Sequence, residues 1–193
     1  MTRLWDPLTY ENLMAGTVAH FEEQTQHPLS DIGSIWGPGI YALYYCGEMN
    51  VYEPICDGAS PIYVGKAVPK GSRTGTELDL DHPALRNRLR EHARSVEQVD
   101  NLELEDFTFR VLAIVPVWIV FAEQALIKRY RPVWNSCLDG FGKHHQGGRR
   151  SKTVRSWWDT LHPGRPWTAD ETQLKTIAEA KKRVLDYWKE LGA

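Results

Sequence analysis

Three side chains in this 193-residue sequence sit where the local pattern calls for something else. Glu123 falls in a stretch that reads as helix, and Ile119, Val120, Leu126 and Ile127 share its face. A carboxylate among apolar side chains is costly unless a cation compensates its charge. An arginine from across the core and a bound metal ion are both open as that cation. Arg88 and His92 lie one turn apart along the edge of a second helix, whose inward stripe is Leu85, Leu89 and Val96. An arginine and a histidine so spaced can reach one phosphate, although such pairs also serve as ordinary structure. The chemistry on offer is metal binding on one helix and phosphate contact on the other. Neither feature alone identifies an activity.

Charge and composition narrow the classes. The formal net charge is −2, yet the cations are segregated. Lys143, Arg149, Arg150, Lys152 and Arg155 occupy a stretch with no acid, together with His144. Lys66, Lys70 and Arg73 form a second acid-free stretch, and Arg86, Arg88, Arg90 and Arg94 lie on one helix. Polarised in this way, a near-neutral protein can still attract phosphates locally, although any single cluster reads equally as solvated surface. Asp79, Asp81 and His82 resemble a metal cluster but precede a helix start, where acids cap the helix. Cys46, Cys56 and Cys137 lack metal or disulfide spacing and fit a cytoplasmic protein. There is no basic, apolar leader, and the longest uncharged apolar stretch, Val111 to Ala122, is too short for a bilayer.

The elements that must position these residues can be read from pattern. Asp6-Pro7 opens a helix over 8–25, with Leu13, Met14, Val18 and Phe21 on one face. Strands are expected at Ile40–Tyr45, Ile62–Gly65 and Phe107–Val115, the first two joined by a long Gly47–Pro61 connection. Helices follow at Pro83–Arg94 and Val117–Tyr130, the latter stopped by Pro132. Residues 133–155 read as irregular. A capping box at Thr168-Ala-Asp-Glu171 predicts a last helix over 168–191, with Leu174, Ile177, Val184, Leu185, Trp188 and Leu191 on one side. Trp157, Trp158 and Trp167 could stack on bases, but read as buried packing of the tail. The order predicts an α+β fold: a small three-stranded antiparallel sheet flanked by helices, with an N-terminal helix and a C-terminal helical tail. With 42% apolar residues the chain can bury one core, and a single domain over 1–193 is expected.

Gly39-Ile40-Tyr41 and Tyr63-Val64-Gly65 fall on the first two strands, with Arg88, Glu123 and Asn135 following in order. In these residues the sequence resembles the GIY-YIG nucleases. The resemblance is closest to the short type II restriction endonucleases that cut the palindrome CCGCGG. It is carried by GPGIYALYYCG, PIYVGKAVPKG, RLREH, EQALIKRYRPVWN, DGFG and DTLHPGRPW, over residues 36 to 167. Val64 stands where the motif has isoleucine.

The resemblance implies a nuclease core over about 36–140 and a catalytic set of Tyr41, Tyr63, Lys66, Arg88, His92, Glu123 and Asn135. Glu123 becomes the ligand of one Mg²⁺ per site, with Mn²⁺ able to substitute. Asn135 becomes the residue that holds the site together. Tyr41, assisted by His92 or Lys66, is the expected general base. Double-stranded DNA is the expected partner, bound by a homodimer with no membrane involved. The backbone contacts are expected from Lys70, Arg73, Lys143, His144, Arg149, Arg150, Lys152 and Arg155, with 143–155 as the basic loop. A repair or homing-type nuclease would use the same site, and a non-catalytic DNA-binding protein would lack Glu123 or Arg88.

Overall fold

Gly39–Tyr45 (β2) is buried along its whole length, and the other elements are arranged on its two faces. The computed structural model describes residues 6–69, 81–143 and 154–192. In it β2 pairs antiparallel with Pro61–Ala67 (β3) on one side and Phe107–Ala113 (β4) on the other. β-Branched and aromatic residues recur in all three, as suits a covered, pleated surface. The predicted three-stranded sheet is therefore present, and His27–Pro28 (β1) extends it to the order β1-β4-β2-β3. Two residues carry no readable period, and proline is tolerated there because the strand lies at an edge.

Alternation along β2 divides the core. Tyr41, Leu43 and Tyr45 face Ala84–Glu97 (α2), Val133–Ser136 (α4), Trp157–Leu161 (α5) and Ile177–Leu191 (α6), and share one cluster with Leu89, Trp134, Trp158 and Trp188. Ile40, Ala42 and Tyr44 face Tyr10–Glu22 (α1) and Ile119–Tyr130 (α3), which contribute Val18, Phe21, Ala122, Ala125 and Leu126. The α+β class is as expected. Among the described residues no helix is long and apolar enough to cross a membrane.

Several boundaries differ from the expected ones. Helix α1 begins at Tyr10, capped by Thr9, whose hydroxyl accepts from the Asn12 N–H; the Asp6 carboxylate accepts from the Leu8 N–H and does not cap the helix. The last helix starts at Ile177 rather than 168. Its capping box is Thr176 with Glu179, because Thr168 is buried and donates to the Arg165 carbonyl, closing the short 3-10 turn Pro166–Thr168. The inward face of α6 is Ala180, Val184, Tyr187 and Trp188, while Leu174, Ile177 and Leu185 are exposed. A single helical turn, α4, interrupts the stretch read as irregular. The Gly47–Pro61 connection contains a 3-10 helix, Asn50–Ile55. Asp81 and His82 do not cap α2, whose N-cap is Pro83 with no side-chain bond.

One buried polar chain crosses the first cluster. Trp134 Nε1 donates to the Tyr52 hydroxyl at 2.8 Å, Tyr52 lies 2.6 Å from His162 Nε2, and His162 Nδ1 lies 2.9 Å from Asn101 Oδ1. The chain is consistent when Nδ1 carries the proton and Nε2 accepts, so His162 is held neutral. Burial, with Arg165 adding to it, pushes His162 down to about 3 from its ordinary 6.5. The unfolded chain binds a proton near 6.5 that the folded protein refuses until about 3. Stability from this site is therefore complete above 6.5 and falls by about 1.4 kcal/mol per pH unit below it. Urea unfolding between pH 6.5 and 4 should show a shallower acid loss for His162→Gln than for the native protein. Equal slopes would exclude His162 as the source.

Candidate active site

Both tripeptide glycines are steric requirements. A Cβ at Gly39 would lie 2.1 Å from the Leu112 carbonyl oxygen, and one at Gly65 would lie 2.3 Å from the Tyr41 hydroxyl. Tyr41 and Gly65 are direct cross-strand partners, so the Tyr41 ring lies across β3 where only glycine leaves room. From there its hydroxyl lies 2.6 Å from His92 Nε2 on α2, with both side chains fully buried. Tyr63, on the same face of β3, packs edge-on against His92 and Phe141 with ring centroids 5.2 and 4.9 Å apart. Phe141 stacks on His92 at 4.6 Å.

Gly65→Ala should accordingly evict the Tyr41 hydroxyl from His92. We expect a stability loss of about 1–3 kcal/mol from overpacking and an activity loss of about 100-fold from misplacement of the reacting groups. Thermal melts and single-turnover rates check both. A variant with native activity would show that the Tyr41–His92 contact is dispensable.

Lys66 follows Gly65 and so points to the opposite face, toward α3. Its ammonium lies 2.5 Å from Glu123 Oε2, so the compensating cation is a lysine from β3, not an arginine across the core. Glu123 keeps 17% side-chain exposure and opens onto a cleft of about 540 Å³ shared with Tyr41, Tyr63, Lys66, Arg88 and Glu91. Arg88 Nη1 donates to Glu91 at 2.6 Å, and Nη2 to the Gly142 carbonyl at 3.3 Å. Asn135 on α4 grips Val64: its amide accepts from the Val64 N–H and donates to the Val64 carbonyl, each at 2.8 Å. The structure thus places six of the seven expected catalytic residues around one opening or directly behind it, with Asn135 bound to the strand that carries two of them.

Electrostatics separate their roles. Burial pushes the Tyr41 phenol well above the ordinary tyrosine value; Tyr63 adds to this and Arg88 opposes it. Burial raises Tyr63 in the same direction. For Arg88 burial disfavours the cation, but Tyr41, Glu91 and Tyr63 outweigh it, so the guanidinium stays charged. Among the described residues there is no group of three or more His, Cys, Asp or Glu side chains placed to hold a metal ion. Glu123 offers a carboxylate oxygen on the cleft, the kind of hard donor that could hold a divalent cation whose shell waters and substrate oxygens complete. The ammonium beside Glu123 marks a position where a cation satisfies this carboxylate.

The remaining residues fall elsewhere. Lys143 is exposed and pairs with Asp139 at 3.3 Å. The Arg155 guanidinium donates to Gln173 and to the Thr168 carbonyl, tying down the tail. Lys70, Arg73, His144, Arg149, Arg150 and Lys152 lie outside the described residues. Arg86, Arg90 and Arg94 line a groove with Leu29–Ser34 on the other flank of α2. Trp158 is buried and Trp157 and Trp167 half-buried, as packing of the tail predicts. Cys46, Cys56 and Cys137 are free thiols. Sequence reasoning missed Glu91 and Asn87 on the cleft wall, although Glu91 stands one turn from Arg88, and His82, set aside as helix capping, lines the same wall.

This fold and this constellation define the protein as a GIY-YIG nuclease. Residues 34–189 match the family described as the Eco29kI GIY-YIG domain, and the chain belongs to that family of restriction endonucleases. No curated protein matches the sequence.

Proposed function

We propose that the protein is a type II restriction endonuclease, a homodimer that uses Mg²⁺ to cut both strands of duplex DNA at a short GC-rich palindrome. CCGCGG is the target that the family resemblance implies. The observation that carries the reading is the single cleft onto which Tyr41, Tyr63, Arg88, Lys66 and Glu123 open, with His92 directly behind Tyr41. A palindrome has a two-fold axis, and a symmetric dimer presents one such cleft to each strand.

Phosphodiester hydrolysis requires a water to be deprotonated and the charge growing on phosphorus to be neutralised. Arg88 exchanges Glu91 for a phosphate oxygen and donates to it bidentately. Tyr41, held as a neutral phenol by burial, takes a proton from the attacking water while passing its own to His92 Nε2. The water oxygen bonds to phosphorus, the bond to the 3′ oxygen breaks, and that oxygen collects a proton from solvent. Tyr63 orients the phosphate or the water, and Asn135 holds β3 in place. Glu123 would hold Mg²⁺, which would supply Lewis-acid stabilisation of the developing charge, and Lys66, on the same cleft, adds a positive charge near the substrate. The products are a 5′-phosphate and a 3′-hydroxyl.

Plasmid DNA cut by the purified protein in Mg²⁺ should yield ends that all map to one palindrome, from a protein that sediments as a dimer. Random nicking by a strictly monomeric protein would overturn the proposal.

A further inference from the structure

Arg165 is 1% exposed and lies far along the chain from every residue of the cleft. Its guanidinium is sandwiched between Trp158 and Trp167, 4.4 and 4.7 Å from their ring centroids. Its Nε donates to Asp159 Oδ1 at 2.6 Å, and Asp159 is itself buried and bonded to Ser156. Nη2 also lies 2.5 Å from Asp159 Oδ1, and the two terminal nitrogens reach one short turn: Nη2 donates to the Gly140 carbonyl at 3.0 Å, and Nη1 to the Phe141 and Lys143 carbonyls at 3.3 and 3.1 Å. Ion pairing alone does not need three carbonyls of one turn, and this planar fork reads them as a template would.

The turn it holds packs against residues of the active site. Phe141 stacks on His92 at 4.6 Å and packs on Tyr63 at 4.9 Å. The next residue, Gly142, accepts from Arg88, and a Cβ there would lie 2.6 Å from the Tyr63 hydroxyl. Three residues of the site thus touch one turn, and one guanidinium donates to three of that turn's carbonyls.

We infer that Arg165 is a positioning residue for the active site, acting through the Gly140–Lys143 turn on His92, Tyr63 and Arg88. Lysine can keep the charge and the bond to Asp159 but cannot span the three carbonyls. Arg165→Lys should therefore lower the single-turnover cleavage rate at saturating DNA by about 100-fold, while the DNA dissociation constant stays within about threefold. A second variant, Arg165→Met with Asp159→Leu, removes both buried charges at once and so leaves no uncompensated ion. It should stay folded and show the same kinetic loss. Phe141→Leu should also be slow, and combining it with Arg165→Lys should add little, because both act through the same turn.

The kinetic arms rest on the nuclease reading, so a second readout is chosen that does not. The His92 ring protons lie against the face of Phe141, and their NMR shifts, assigned by comparison with His92→Gln, should move downfield in Arg165→Lys as the stack loosens. If the native protein cuts no DNA but the His92 resonances shift, the nuclease reading fails and the positioning role stands. Variants that keep native His92 shifts and native cleavage per folded molecule overturn it, and leave Arg165 a purely structural ion pair.

Discussion

A Glu123→Gln protein is expected to cut DNA slower by a factor of roughly 1000 while binding it at least as tightly as the native enzyme. The amide has the shape of the carboxylate, and its oxygen can still accept from Lys66, which the native side chain does at 2.5 Å. What disappears is the negative charge. On the proposed mechanism Mg²⁺ would then lose the Glu123 carboxylate, and the phosphate would lose a repulsive neighbour. Binding to a duplex in the absence of divalent ions and single-turnover cleavage in Mg²⁺ separate the two effects. A variant that cuts near the native rate would remove Glu123 from the metal site.

The second large effect concerns where the proton goes. A tyrosine at its ordinary value of about 10 is phenolate about once in a thousand at neutral pH, and burial makes that state rarer still at Tyr41. A neutral Tyr41 cannot serve as base unless its own proton leaves at the same moment, and His92 Nε2, 2.6 Å away, is the acceptor in reach. The rate should then rise with pH along a limb set by the neutral form of His92. His92→Ala should abolish that limb and cost on the order of 100-fold or more, in the range of general base catalysis. Tyr41→Phe should cost as much, since the relay has lost its middle member. A limb that instead tracks Tyr41 and persists without His92 would make the phenolate the base. A Tyr41→Phe enzyme that keeps most of its activity would end the tyrosine's role altogether.

How legible was this site before the structure? Residues on regular elements were the easiest. Glu123 broke an apolar helix face, and Arg88 with His92 kept helical spacing, so their elements and sides followed from period alone. The sheet core followed likewise from β-rich runs bounded by glycine and proline. The failures share a cause. Thr168 carries the same capping signature as Thr176, but its hydroxyl turns back to the Arg165 carbonyl three residues earlier and ends a turn, in a segment whose burial comes from the rest of the fold. Lys66 meets Glu123 across 57 positions of sequence, a pairing that no local pattern encodes. Phe141 and Arg165 drew no reading of their own from the local pattern, because their partners come from α2, β3 and the loop before the basic segment. Local chemistry is written locally, and what closes the site is long-range.

The grip of Asn135 on Val64 has a bearing on assembly. Strand β3 ends the sheet, and an outer strand offers bare N–H and C=O groups on which another chain can add itself. The Asn135 amide presents one acceptor and one donor to Val64 at 2.8 Å each, in the manner of a single residue of a fifth strand. The opposite border is β1, two residues long and containing Pro28, which has no N–H to give. A second copy growing onto β3 would have to displace a side chain that holds the catalytic strand. Growth of a second copy onto β3 would therefore compete with the contact that steadies Tyr63 and Lys66 on that strand.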